Sequence, residues 1–253
     1  FVAQVRRETG LELEIIEPEE EARLAVISCA PLVSTKTDQL LVVDIGGGST
    51  ELVWIDLTNV PHRERPRAIM RLHAGFKSDP GPFAAAKVVD WISVPLGVAT
   101  LRDQFADVED DAARFALMSW FFEENLEDFS PRAAAQVREG FQIVGTSGTV
   151  TTVAASHLGL KRYDRTKVDG LRMTTAQIDA VIQNYLSLGP TGRRADPRIG
   201  KDRQALIMSG AAILQTLMRL WPTDRLSVAD RGLREGLLYA QMSAHGVLED
   251  TPY

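Results

Sequence analysis

Residues 40–51 read Leu-Leu-Val-Val-Asp-Ile-Gly-Gly-Gly-Ser-Thr-Glu, and this stretch restricts the fold more than any other. One apolar run precedes the glycines, and a second, Leu-Val-Trp-Ile, follows Glu51. Their content predicts two strands buried on both faces, over residues 39–44 and 51–57, joined by a tight turn. Three consecutive glycines, Gly46, Gly47 and Gly48, remove every Cβ from the turn, so that backbone N–H groups can approach an anion closely. Ser49 and Thr50 add hydroxyl donors, while Asp44 and Glu51 accept only when ionised. Carboxylates beside an anion cradle make chemical sense when a divalent cation sits between them and a phosphate. The stretch therefore points to phosphate chemistry assisted by Mg²⁺, with Asp44 on the metal directly or through water, and with Glu51 doing the same or orienting a water; a solvated strand-end charge is the competing reading for Glu51. A plain β-hairpin turn is the other reading, and the two are compatible.

Composition narrows the partners. Among 253 residues there are 28 Lys and Arg against 34 Asp and Glu, a formal charge of −6. No overall basic field recruits nucleic acid, so a polyanion must be held by local donors and a metal. The single cysteine, Cys29, excludes an internal disulfide and a cysteine metal cluster, which fits a cytoplasmic location. His62, His73, His157 and His245 show no metal-ligand spacing. No apolar run has the length of a membrane span. The chain opens on Phe1 inside a helix-like stretch, so a fragment of a longer protein is expected; proteolytic processing is the competing explanation.

Along the chain, residues 11–16 alternate apolar and acidic side chains, as a half-exposed strand does. Pro18 and the acids Glu19, Glu20 and Glu21 open a helix that runs to Cys29. Residues 68–73 and 88–94 are weaker strand candidates, residues 74–87 a loop or short helix, and the basic residues of 61–71 a solvated turn. Helices are predicted from Gly97 onward, over 110–129, 131–139 and 150–157, and behind the capping-box pair Thr174 and Gln177 as far as Gly189-Pro190. Asp202 is expected to cap a long helix that Pro222 ends. Short strands are expected at 141–144 and 226–230. Strands followed by strand–helix units predict an α/β fold, a mixed sheet with flanking helices.

In such sheets ligands collect at the carboxyl ends of strands. Three strand ends here carry polar glycine turns: after Asp44, after Val144 and at Asp230. The second turn, Gly145-Thr146-Ser147-Gly148-Thr149, leads into a helix, whose N-terminus favours an anion. Ser147 or Thr149 acting only as a helix cap is the competing reading, as it is for Asp230 before the last helix.

Four segments together resemble the exopolyphosphatase / guanosine pentaphosphate phosphohydrolase (Ppx/GppA phosphatase) family: residues 40–51, Ile-Val-Gly-Thr-Ser-Gly-Thr at 143–149, Ser-Val-Ala-Asp-Arg-Gly-Leu-Arg-Glu-Gly at 227–236, and Glu-Pro-Glu-Glu-Glu-Ala-Arg at 17–23. The resemblance implies an actin/Hsp70/sugar-kinase fold, ribonuclease H-like, with two such domains around a cleft. It implies Mg²⁺-dependent removal of terminal phosphate from polyphosphate or pppGpp. It assigns Glu21 to orienting or activating the attacking water; the residues alone make it part of a helix-start acid run. It places the metal-linked acids at Asp44 and Glu51 and the phosphate loops at 46–50 and 145–149.

The family's N-terminal domain, with its own phosphate loop, has no counterpart in this sequence. Residues 1–36 are then expected to be the end of that first domain with its linker helix, and 37–253 the second domain with the C-terminal helix. Two other functions compete. One is an ATP-binding kinase or ATPase of the same fold. The other is a module that holds a phosphate chain, or forms a homodimer, without cleaving anything. The basic stretch 191–203 reads as a solvated loop, with contact to a phosphate chain or a guanosine nucleotide as the alternative.

Overall fold

The computed structural model describes residues 1–78, 86–131 and 139–247. Its centre is one six-stranded sheet ordered β5-β2-β1-β6-β8-β7. Here β1 is Gln39–Ile45, β2 Thr50–Asp56, β5 Lys87–Val94, β6 Phe141–Thr146, β7 Arg172–Met173 and β8 Leu226–Ala229. The short strands β3, Leu72–His73, and β4, Lys77–Ser78, form a separate ribbon. β1 pairs antiparallel with β2 and parallel with β6, and β6 pairs parallel with β8. The sheet is therefore mixed, as the order of elements predicts.

The two faces of β1 and β2 serve two cores, as the two-residue period of a strand requires. Leu41, Val43, Leu52 and Trp54 face the larger cluster, built with Phe115, Val153, Ile178, Ile213 and Leu217. These come from the helices Asp111–Glu124, Gly148–His157, Thr175–Ala195 and Ile207–Leu220. Leu40, Val42, Val53 and Ile55 face the smaller cluster, with Ala22, Val26, Ile69 and Met70. The helices behind them are Pro18–Cys29 and Arg65–Met70. Helix starts follow local chemistry. The Asp110 carboxylate accepts from the Ala113 N–H at 2.7 Å, and Thr174 and Gln177 form the expected capping box.

Several local expectations differ from the structure. Residues 11–16 form no strand; Leu11, Leu13 and Ile15 are exposed, with no neighbouring strand to pair with. Of residues 68–73, the first three belong to the helix Arg65–Met70, which Pro66 starts in its first turn, and only Leu72–His73 is extended. Arg65 is not solvated. It is 1% exposed, and its guanidinium donates to the carbonyls of Val60 and Thr35 and to the Asp38 carboxylate. Asp202 caps no helix: it lies in the 3₁₀ turn Lys201–Arg203, and the long helix starts at Ile207 behind Leu206. Gly189 leaves helical geometry at φ 60°, ψ 178°, after which helical turns resume to Ala195. The helix expected over 131–139 lies outside the described residues apart from its two ends.

The C-terminal helix Leu233–Ala244 crosses Pro18–Cys29 at Gly236, where an added Cβ would overlap the Leu24 carbonyl. Gly236→Ala is expected to lower unfolding stability by about 1–3 kcal/mol, because backbone must move to admit the methyl. Urea unfolding beside Gly232→Ala, whose added Cβ meets nothing within 4 Å, measures the effect. Equal midpoints would contradict this packing.

Candidate active site

The parallel run β1-β6-β8 brings all three polar turns to one end of the sheet. Asp44 is in register with Glu51 on one side and Thr146 on the other, and Thr146 is in register with Ala229. This is the carboxyl end of the strands, where open α/β sheets bind ligands.

The first turn is oriented by its surroundings. The Gly46 N–H closes it onto the Ser49 carbonyl at 2.9 Å. The helix Val98–Gln104 then takes up the turn's carbonyls: Val98 N–H donates to Gly46 and Ala99 N–H to Gly47, both at 2.9 Å, and the Thr100 hydroxyl donates to Gly48 at 3.1 Å. With carbonyls turned to that helix, the N–H groups of Gly47, Gly48 and Ser49 have no protein acceptor among the described residues. The approach is close enough that a Cβ on Gly97 would sit 2.5 Å from the Gly46 oxygen. Thr50 does not join the exposed donors. It is buried and its hydroxyl donates to the Leu96 carbonyl at 2.8 Å.

Three carboxyls crowd beside this turn. Glu51 is 3% exposed, and the Ser93 hydroxyl on β5 donates to its Oε1 at 2.8 Å. Asp44 is pushed up to about 7, first by burial and then by the charges of Glu51 and Glu21. Glu21 is also raised, by burial and by Glu51. The acidic run on the Pro18–Cys29 helix thus divides. Glu20 is neutralised by Arg23 at 2.6 and 2.7 Å, while Glu21 couples to the sheet-end acids. Ser93 was not identifiable from sequence; its only signal is a hydroxyl within the apolar end of β5, Trp91 to Val94.

The second turn is built differently. Ser147 has φ 120°, ψ 170°, a backbone region that side chains other than glycine's rarely occupy. Its hydroxyl accepts the Thr149 N–H at 3.2 Å. Thr146, Ser147 and Gly148 open onto a cavity of about 580 Å³, which Leu160, Tyr163, Arg165, Arg203 and Arg231 also line. Gly145 and Thr149 point elsewhere, Gly145 under Val150 and Thr149 against Gly210. The Thr146 hydroxyl donates to the Arg231 carbonyl, and the Arg203 guanidinium lies over Gly148. Asp230 caps no helix; Gly232 precedes Leu233–Ala244 and donates its N–H to Glu235 at 3.0 Å. Asp230 instead accepts the Tyr163 hydroxyl at 2.7 Å. Arg203 belongs to the basic 191–203 stretch, so a signal for it exists in the sequence, whereas nothing local marks Tyr163.

Comparison with known proteins gives one consistent result. The model of the Ppx/GppA phosphatase family matches residues 1–245. The guanosine-5'-triphosphate,3'-diphosphate pyrophosphatase of Aeromonas salmonicida is 26% identical over 243 residues, covering 94% of this chain and 41% of that protein. Exopolyphosphatase 1 of Mycobacterium leprae is 23% identical over 253 residues, covering 96% and 63%. The chain thus spans less than two thirds of these relatives. A solved Ppx/GppA family member from Aquifex aeolicus superposes with a TM-score of 0.70 at 27% identity, over 96% of this chain and 69% of that one. An exopolyphosphatase from Cytophaga hutchinsonii, 18% identical, shares the fold with a TM-score of 0.73, over 96% and 69%.

The carboxyl cluster has a consequence for stability. Asp44 carries its proton to about pH 7 in the folded chain, against an ordinary value of 3.8. Folding therefore favours the protonated form. Its stabilisation is present below about pH 4 and is lost as pH rises to about 7. In a cation-free buffer the melting temperature is expected to fall between about pH 4 and about pH 7, and Asp44→Asn to flatten that fall. Parallel wild-type and Asp44→Asn profiles in thermal melts would contradict the placement of this carboxyl.

Proposed function

The chain belongs to the Ppx/GppA phosphatase family, and from that premise we propose that the intact protein hydrolyses the terminal phosphoanhydride of inorganic polyphosphate or of pppGpp with Mg²⁺. The observation that carries this reading is the convergence of Glu21, Asp44 and Glu51 beside a glycine turn with unsatisfied N–H donors. Burying like-charged acids together is costly unless a proton or a cation compensates them.

The residues fit a divalent cation of the Mg²⁺ type. Among the described residues no group of three or more His, Cys, Asp or Glu is spaced to hold a metal. Mg²⁺ usually takes only one or two carboxylates and completes its shell with water and phosphate oxygens. Asp44 and Glu51 supply that pair, and Ser93 fixes one Glu51 oxygen so that the other is aimed. When bound, the cation neutralises charge on the phosphate chain. The N–H groups of Gly47, Gly48 and Ser49 hold the terminal phosphoryl oxygens. Ser147 and Gly148 hold the chain farther along. Glu21, its basicity increased by burial, orients the water and takes its proton as the water oxygen attacks the terminal phosphorus. The bridging P–O bond breaks, and its electron pair leaves on the shortened chain.

The 580 Å³ cavity beside the second turn, walled partly by Leu160 and Tyr163, also has room for a nucleoside. That favours pppGpp as one substrate, and keeps ATP as the control for a kinase-like alternative. A cytoplasmic location and a homodimer are part of the same proposal, as is the division into a domain end at 1–36 and a second domain at 37–253.

Phosphate release from polyphosphate, pppGpp and ATP by the intact protein tests the reading. Glu21→Gln is expected to lower turnover by about 10²-fold or more with binding retained. Glu51→Gln should raise the Mg²⁺ concentration needed for half-activity, and Ser93→Ala should do so to a smaller extent. Turnover unchanged in Glu21→Gln would remove its assigned role, and preference for ATP would favour the kinase-like alternative.

A further inference from the structure

The cavity beside the second glycine turn carries arginines in its wall: Arg165, Arg198, Arg203, Arg231 and Arg234. Three carboxylates also line it, Asp202, Asp230 and Glu235. Glu235 is occupied, accepting from the Gly232 N–H at 3.0 Å and from Arg165 at 3.3 Å. Asp202 lies on the exposed 3₁₀ turn Lys201–Arg203, with no hydrogen bond to fix its carboxylate among the described residues.

Asp230 differs from both, because it is fixed and still has an oxygen to spare. Its N–H donates to the Asp169 carboxylate at 3.1 Å, and its carbonyl accepts from the Arg165 guanidinium at 2.5 Å. Its Oδ2 accepts the Tyr163 hydroxyl at 2.7 Å and lies 3.5 Å from Arg165 Nε. Oδ1 has no partner among the described residues. The carboxylate is thus a pinned acceptor that lacks a donor.

The surroundings select that donor. A phosphate is repelled by the carboxylate, and a metal cation by Arg165 beside it. A neutral hydroxyl meets neither penalty and gains a charge-assisted hydrogen bond. Thr146 is in register with Ala229, so Ser147 and Asp230 leave neighbouring strands, about 4.8 Å apart. A group joined to a phosphate held at Ser147 and Gly148 therefore comes to lie beside Asp230. In a nucleoside polyphosphate that group is the ribose. The 3′-oxygen of pppGpp is esterified, which leaves the 2′-hydroxyl as its ribose donor. The same cavity offers an apolar wall of Ala155, Leu160, Pro197 and the Tyr163 ring, against which a base can pack.

Resting on the function proposed above, we propose that Asp230 accepts the ribose 2′-hydroxyl of the guanosine substrate, with Tyr163 and Arg165 as its positioning residues, and that its charge weakens the hold on inorganic polyphosphate at the same place. One side chain then favours one substrate and disfavours the other. It takes no part in bond cleavage, so its effects belong in KM rather than kcat.

The test is phosphate release by the intact protein from pppGpp, 2′-deoxy-pppGpp and tripolyphosphate. The wild type is expected to lose about tenfold in kcat/KM when the 2′-hydroxyl is absent, the effect of one hydrogen bond to a charged group. Asp230→Ala should treat the two guanosine substrates alike. It should also lower the KM for tripolyphosphate by roughly threefold, a gain that shrinks as salt is raised. Asp230→Asn, which keeps an acceptor oxygen and loses the charge, should show the same gain while retaining part of the 2′-hydroxyl preference. The first comparison uses the wild type alone and does not depend on either variant folding. A wild type that turns over both guanosine substrates equally overturns the assignment. So does an Asp230→Ala variant whose kcat/KM falls by one factor on all three substrates, as a purely structural role would give. A wild type that cleaves tripolyphosphate and not pppGpp overturns the ribose contact and leaves the phosphate-chain function standing. Failure to cleave any of the three overturns both.

Discussion

The structure depends on crowding three carboxyls at the end of its central strands. Asp44 cannot withdraw, because β1 is clamped between β2 and β6 in fixed register. Glu51 cannot withdraw either, being buried, next to Asp44 across the hairpin and paired with Ser93 of β5 on its other side. Glu21 arrives on a helix whose apolar face is part of the core beneath the same sheet. Hydrophobic burial, which is non-directional, thus fixes a directional electrostatic conflict. Burial first, and then this conflict, push Asp44 up to about 7.

The two turns beside the acids supply donors by different means. In the first, a neighbouring helix binds the carbonyls, which leaves the N–H groups of Gly47, Gly48 and Ser49 facing outward. In the second, Ser147 adopts a strained backbone at the start of Gly148–His157, so the helix N-terminus meets the cavity directly. Both depend on the parallel alignment of β1 with β6, which places the turns side by side.

The glycine turns and the mixed character of the sheet were legible because strand periodicity and glycine runs are local signals, whereas the strand order was not. The roles within the turns were less legible. Thr50 and Thr149 look like phosphate donors in sequence, yet one bonds Leu96 and the other packs on Gly210. Those partners lie 46 and 61 positions away, 61 being 210 less 149, and no local pattern encodes them. Ser93 was missed for the same reason, since it meets Glu51 only through strand pairing. Arg65 reads as part of a charged turn until the Val60 and Thr35 carbonyls are brought around it. Glu21 shows the limit most clearly: the residues alone describe a helix-start acid, and only its position opposite the hairpin separates it from Glu20.

On the proposed function, the acid cluster and the first glycine turn together hold a divalent cation. An anomalous difference map from crystals grown with Mn²⁺ and pyrophosphate addresses it directly. A peak in coordinating contact with Asp44 and Glu51 is expected, with pyrophosphate density on the N–H groups of Gly47 to Ser49. A metal peak away from both carboxylates, or none at saturating Mn²⁺, would contradict it.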